Sequence, residues 1–326
     1  MPAGPPYSSP PVPDQQTPAG LERSTFAAMG TTVTVLLPAA HARRAVAVED
    51  LFRSWEDCLS RFLPDSELSR LNARAGEVVR VSRLLFDMVD AALGAAAATE
   101  GVFDPTMLLQ IREIGYDRTF GKIATDGLTS YRPRPGGGWR QIRLDPGNLT
   151  IRLPQGAGLD LGGIAKGMAV DAAMAQLLEA GVSPSAVDAG GDLAVQGLPD
   201  GYDSWPIAIE TNGEPHVVSL RAGALATSSV GRRRWRQGAV ERHHLLDPGT
   251  GLPVENEIWS ASVVADSCRA AEIAAKMALL LGHLRGVSYL EQHHLPGLLV
   301  LKDGRQILAG PWSPQEAALE CNRQAN

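Results

Sequence analysis

The sequence predicts an α+β fold, a mixed α/β arrangement, from three observations. Several stretches carry apolar residues at helical spacing, many short runs are rich in β-branched residues, and Gly and Pro punctuate the joins between them. A chain of 326 residues, 44% hydrophobic and 20% charged, has ample material for a large core. No internal repeat of fixed period runs through it.

Residues 1–23, which open "MPAGPPYSSPPVPDQQTPAG", are dominated by Pro, Ser and Gln. They bury too little apolar area to offset the entropy of ordering, so a disordered tail is expected. One folded domain is placed at 24–312, followed by a C-terminal tail at 313–326. "TTVTVLL", Thr31 to Leu37, reads as a strand, and His41 to Leu59 and Leu84 to Ala98 have helical spacing and length. The Pro- and Gly-rich segment from Ser130 to Asn148 reads as loop around one short strand. A helix is expected to open at "GGIAKGMAVDAAMAQLLEAG". Short strands follow near Ser185 to Asp188, Leu193 to Gln196, Pro206 to Glu210, Val217 to Leu220 and Trp259 to Val264. The stretch "CRAAEIAAKMALLLG", Cys268 to Gly282, is again helical.

A formal net charge of -6 gives no reason to expect nucleic acid or an anionic membrane as the main partner. Small molecules and proteins fit better. Cys58, Cys268 and Cys321 are far apart and odd in number, which matches neither a zinc site nor a disulfide framework and points to a reducing compartment. The N-terminus lacks the basic and apolar regions of a signal peptide, and no run approaches the ~20 apolar residues of a membrane span. A cytoplasmic protein is expected.

Among motifs, "LDLGGIAKGMAVDAA" is the most informative. Gly162 and Gly163 let the backbone approach a ligand, the following helix offers free N–H groups and a positive dipole end, and Lys166 adds a charge in the first turn. This suits a phosphate, although paired glycines are also an ordinary way to start a helix. Asp188 and Asp192 flank a second pair, Gly190 and Gly191, which a tight turn between strands explains equally well. In "HHLLDPGTG", Asp247 organises the turn, while His244 is either structural or a proton acceptor facing a site. "EGVFDPTM" is explained by a helix end at Gly101 and a turn through Asp104 and Pro105. "GRRRWRQG" could bind an anion or RNA, with Trp235 for stacking, but one short basic run in an acidic chain reads rather as a solvated loop, and His293-His294 as an exposed one.

The order of these motifs resembles one family, the FAD:protein FMN transferases, formerly called thiamine-biosynthesis lipoproteins. The resemblance runs from about Met29 to Gly282 through "AMGTTVTV", "SRFLPDSELSRLN", "EGVFDPT", "DLGGIAKGMAVD", "DAGGDLAVQG", "LATSS", "HLLDPGTG" and the late helix. It implies a single T-fold-related domain with FAD, its substrate, in a cleft and Mg²⁺ near the pyrophosphate. It also implies an acceptor protein whose Thr or Ser hydroxyl receives FMN as AMP leaves. By the same resemblance Met29, Phe62, Val102, Phe103, Asp104, Asp160, Lys166 and Leu245 contact FAD, and His244 takes the acceptor's proton. Gly163 would offer its carbonyl to the metal. A phenylalanine at 62 can stack on the flavin but has no hydroxyl to offer.

The late helix departs from the pattern. Where the family binds the metal through Asp and Thr four residues apart, this chain has Glu272 and Lys276. Helical geometry puts Arg269, Glu272 and Lys276 on one face, with Ile273, Met277 and Leu280 as the buried stripe, so an exposed ion pair worth ~0.2–0.5 kcal/mol is one reading. The resemblance implies instead that both face the FAD cleft. Glutamate extends an oxygen ligand by one methylene, whereas lysine keeps nothing of threonine's ligand and either points away or occupies the ion's place. Two functions therefore stand: FMN transfer with an altered or replaced metal, or FAD binding without the usual Mg²⁺-dependent transfer.

Overall fold

The computed structural model describes residues 17–123, 131–237 and 240–312. Residues 1–16 of the expected tail, Ser130 and all of 313–326 lie outside them. In chain order the elements begin with β1 (Leu21–Ala28), β2 (Thr31–Pro38), α1 (Ala45–Leu59), α2 (Glu67–Ala73), β3 (Val78–Arg80) and α3 (Arg83–Ala98). Next come α4 (Leu108–Glu113), β4 (Arg143–Asp145), β5 (Thr150–Arg152), α5 (Ala165–Glu179), β6 (Ser185–Ala189) and β7 (Asp192–Gln196). The rest are β8 (Trp205–Ile209), β9 (His216–Leu220), β10 (Gly223–Ser229), β11 (Arg234–Gln237), β12 (Val240–His243), β13 (Ile258–Ala265), α6 (Cys268–Gln292), β14 (Gly297–Leu301) and β15 (Gln306–Ala309).

Eight strands form one sheet in the order β1-β2-β6-β7-β10-β13-β14-β15, every neighbouring pair antiparallel. Both faces are covered, and β14, Gly-Leu-Leu-Val-Leu, is accordingly buried at every position. Leu299 and Leu301 join Ala274, Ala275 and Ala278 of α6, while Leu298 and Val300 join Trp205, Ile209 and Val218 of the β8–β9 hairpin. β1 begins at Leu21, before the boundary drawn at residue 23. As an edge strand it alternates only weakly, with Glu22 and Arg23 exposed, so it lacks the apolar rhythm that marks a strand.

The expected helices are found, with His41–Leu59 split into a 3₁₀ turn at Ala39–Arg44 and α1. α3 ends as its sequence requires: Glu100 and Gly101 adopt φ of 53° and 87°, and the Gly101 amide bonds to the Ala96 carbonyl. α6 breaks at Gly282 (φ 75°, ψ 168°), and Glu257 caps its second half by accepting the His283 N–H at 2.8 Å. Its buried stripe runs through Ala271, Ala274, Ala275 and Ala278. Ile273 and Leu280, expected there, are only partly buried, because α6 packs beside α5 on the same sheet and small residues fill the tightest contacts.

The closest approach is at Gly167 of α5, where a Cβ would stand 2.8 Å from the backbone of Cys268 and Arg269. Asp171 of α5 fixes the same junction by accepting the N–H groups of both residues at 2.7 and 3.0 Å. Gly167→Ala is expected to destabilise the protein by about 1–3 kcal/mol, since backbone cannot yield as a side chain can. An unchanged melting temperature would show that the helices have room to part. No helix among the described residues is long and apolar enough to cross a membrane.

Candidate active site

A cleft of about 390 Å³ opens where the β1–β2 turn, the segment before α5, the exit from β10 and the segment after β12 converge on α6. The turn is a two-residue hairpin loop with both central residues left-handed, Met29 at φ 52° and Gly30 at 70°. Methionine in that region carries strain of the order of 1 kcal/mol. It is held by the β1–β2 register and turns Met29 toward the cleft.

At the approach to α5, Asp160 is doubly engaged: Oδ1 accepts the Gly162 N–H at 2.9 Å and Oδ2 pairs with Arg61 Nε at 3.1 Å. Arg61 is 7% exposed, lies 4.1 Å over the Phe62 ring and 4.5 Å from that of Tyr116, and donates Nη1 to the Tyr116 carbonyl at 2.8 Å. The guanidinium therefore fixes both aromatic rings at the cleft wall. Phe62 and Tyr116 stand 5.5 Å apart between ring centroids.

Lys166, in the first turn of α5, forms an ion pair with Asp192 and lies 3.4 Å from Oε1 of Glu272. The other Glu272 oxygen accepts the Gly167 N–H at 2.8 Å. Asp192 is 1% exposed and Glu272 5%, so this is a buried bridge between α5, α6 and β7. Two expectations are corrected. Glu272 is not on an exposed face paired with Lys276, and it does not line the cleft, because the close α5–α6 contact at Gly167 places its carboxylate one layer behind, on Lys166.

Lys276 does line the cleft. Its ammonium rests against Gly163, where a methyl group would collide with it, and lies 5.5 Å from the centre of the Phe103 ring. Burial pushes its pKa down, opposed by the fields of Glu272 and Asp160.

His244 enters the cleft from the end of β12, beside Leu245, its ring edge-on to Tyr116 with centroids 6.5 Å apart. Its Nδ1 is buried with no hydrogen-bond partner among the described residues. Burial holds the imidazole well below its ordinary pKa, assisted by the positive charges of Arg233 and Lys276 and by His243, while the Arg233 carbonyl opposes the shift. Val102, Phe103 and Asp104 complete the wall. The Asp104 carboxylate is occupied in ordering its loop, accepting the N–H and hydroxyl of Thr106 at 2.7 and 2.5 Å and the Gly137 N–H at 2.5 Å.

The cleft thus brings together Met29, Phe62, Val102, Phe103, Asp104, Asp160, Gly163, Lys166, His244, Leu245 and Lys276, and leaves Glu272 behind it. Sequence reasoning missed Arg61, Tyr116 and Arg233, all of which line it. The reading of "GRRRWRQG" as a solvated loop is overturned for its described part. It leads into strand β11, Trp235 is 7% exposed with its Nε1 on the Ile114 carbonyl at 3.0 Å, and Arg233 faces the cleft. Alternating backbone directions, with Arg232 on Glu210 and Arg234 on Glu241, were not legible from charge alone.

The residues present do not fit a divalent ion at the position the resemblance implies. Gly163 is covered by an ammonium, Glu272 is spent on Lys166 and Gly167, and Asp160 on Arg61 and Gly162. Among the described residues no group of three or more His, Cys, Asp or Glu side chains is arranged to hold a metal.

The chain is similar in sequence and in fold to known proteins. A curated relative from Treponema pallidum, named FAD:protein FMN transferase, is 32% identical over 288 residues, covering 80% of this chain and 77% of its own. One of the same name from Vibrio cholerae serotype O1 is 29% identical over 263 residues, 78% of each chain. Among solved structures, the ApbE protein of Thermotoga maritima superposes with a TM-score of 0.79 at 24% identity, covering 89% of this chain and 97% of that one. The flavin transferase ApbE from Vibrio cholerae does so at 0.73 and 26%, with the same coverage. Residues 29–299 match the ApbE family, and the chain belongs to it.

Proposed function

We propose that this protein is an FAD:protein FMN transferase, moving FMN from FAD to a Thr or Ser hydroxyl of an acceptor protein with release of AMP. The observation that carries the reading is the position of His244. A histidine kept neutral by burial, whose Nδ1 has no partner among the described residues, opens onto the same cleft as the Gly162-Gly163 entry to α5 and the Lys276 ammonium.

In this reading Phe62, Tyr116, Met29 and Phe103 hold the flavin and adenosine rings, and the α5 entry with Lys166 and Lys276 receives the diphosphate. The acceptor oxygen attacks the FMN phosphorus, its proton passes to His244, and the bond to the AMP phosphate oxygen breaks. Such a transfer asks for positioning and charge neutralisation more than covalent chemistry from the protein. The three scattered cysteines, of which Cys58 and Cys268 are free thiols, support a cytoplasmic setting.

Purified protein incubated with FAD and a candidate acceptor is expected to release AMP and to leave flavin fluorescence on the denatured acceptor. FAD that binds but is never cleaved with any acceptor would reduce the protein to a flavin-holding relative of the family.

A further inference from the structure

The cations of the cleft are unequally provided for. Lys166 has Asp192 and Glu272, and Arg61 has Asp160. Lys276 and Arg233 face the same space, and among the described residues no carboxylate lies within ion-pair distance of either. Glu272 and Asp160, the acidic side chains whose fields act on Lys276, are already committed, and so is Asp192. Glu272, one turn earlier on α6, holds Gly167 and Lys166; Asp160 holds Gly162 and Arg61; Asp192 takes Lys166 and the Thr227 N–H at 3.3 Å.

An ammonium held against the glycine that precedes a 15-residue helix, with a second cation lining the same cleft, is a site built for a dianion. The same arrangement opposes a divalent cation, which would meet two positive charges and find every nearby carboxylate engaged. A divalent ion would require Lys276 to leave Gly163 and Glu272 to leave Lys166.

We propose that the Lys276 ammonium, assisted by Arg233, is a built-in cation that neutralises the FAD diphosphate, so that this protein binds FAD and transfers FMN without a divalent metal ion. The inference rests on the transferase reading above. The reaction balances without a metal: the acceptor oxygen forms its bond to the FMN phosphorus, the bond from that phosphorus to the AMP phosphate oxygen breaks, and the acceptor's proton goes to His244. AMP carries off the bonding pair, and nothing is oxidised or reduced.

The test uses the full chain, FAD and an acceptor, with EDTA or with added Mg²⁺, and reads three quantities: FAD affinity by flavin fluorescence, AMP release, and Mn²⁺ binding by electron paramagnetic resonance. In wild type, EDTA is expected to change affinity and transfer by less than about twofold, with no stoichiometric Mn²⁺ bound. Lys276→Thr is expected to weaken FAD binding in EDTA by about tenfold or more and to regain part of it with Mg²⁺ or Mn²⁺. Gly163→Ala is a second probe that keeps the charge but displaces the ammonium, which as the end of a flexible side chain can yield without unfolding. It too should weaken FAD binding. If EDTA abolishes wild-type transfer while FAD still binds, and Mn²⁺ binds stoichiometrically, the inference is overturned and the transferase reading stands. If FAD binds under no condition, both fall.

Discussion

His244→Ala is expected to lower FMN transfer by about 10²–10⁴-fold while leaving FAD affinity close to wild type, the pattern of a lost proton acceptor rather than a lost contact. The imidazole must be neutral to accept a proton. Burial, reinforced by Arg233, Lys276 and His243, keeps it so below the ordinary histidine range, and the ring of Tyr116 stands edge-on to it. The acid limb of kcat/KM should therefore lie below pH ~6.5, the unperturbed histidine value. Bound FAD brings negative charge next to the ring and stabilises the imidazolium, so the limb in kcat should sit at higher pH than the limb in kcat/KM. Lys276→Met removes one positive neighbour and should shift the kcat/KM limb upward. Wild-type transfer in His244→Ala would put the base elsewhere, and a loss confined to FAD affinity would make His244 a binding residue.

How much of this site was legible in the sequence depends on whether the structure uses local or distant neighbours. The glycine pair at 162 and 163, Lys166 and His244 each sit in a short motif whose backbone consequences are local, and all four line the cleft. Arg61 and Tyr116 are 55 positions apart and meet only because Arg61 reaches the Tyr116 carbonyl. No spacing rule announces such a contact. Glu272 shows a different limit: helical periodicity places it on the face shared with Lys276, but only the backbone approach at Gly167 reveals that its partner is Lys166 on another helix. In the sheet, β10, Gly-Ala-Leu-Ala-Thr-Ser-Ser, lies between β7 and β13 yet carries little of the β-branched signal expected of an interior strand. Small residues there leave room for α6, which packs across it, so the tertiary contact overrides the propensity.

Replacing Lys166 by methionine is expected to have the largest effect on stability, a loss of about 3–5 kcal/mol. The lysine is the cation shared by Asp192 and Glu272, 1% and 5% exposed, whose charges come from strand β7 and helix α6. Methionine fills similar volume but leaves two buried carboxylates without their shared cation, each keeping, among the described residues, one backbone N–H, from Thr227 and from Gly167. Desolvation and mutual repulsion then act without an opposing charge, and Lys276, rotated toward the cleft, is too far to form a contact pair with either. Urea unfolding measures the cost, and an unchanged m value would assign it to the folded state. Adding Glu272→Gln to Lys166→Met should recover part of the loss, because the amide oxygen still accepts from Gly167 while one buried charge is gone. A double-mutant cycle over these positions should therefore be strongly non-additive. Additive losses would mean that α5, α6 and β7 are joined at this point by packing alone, with the three charges acting independently.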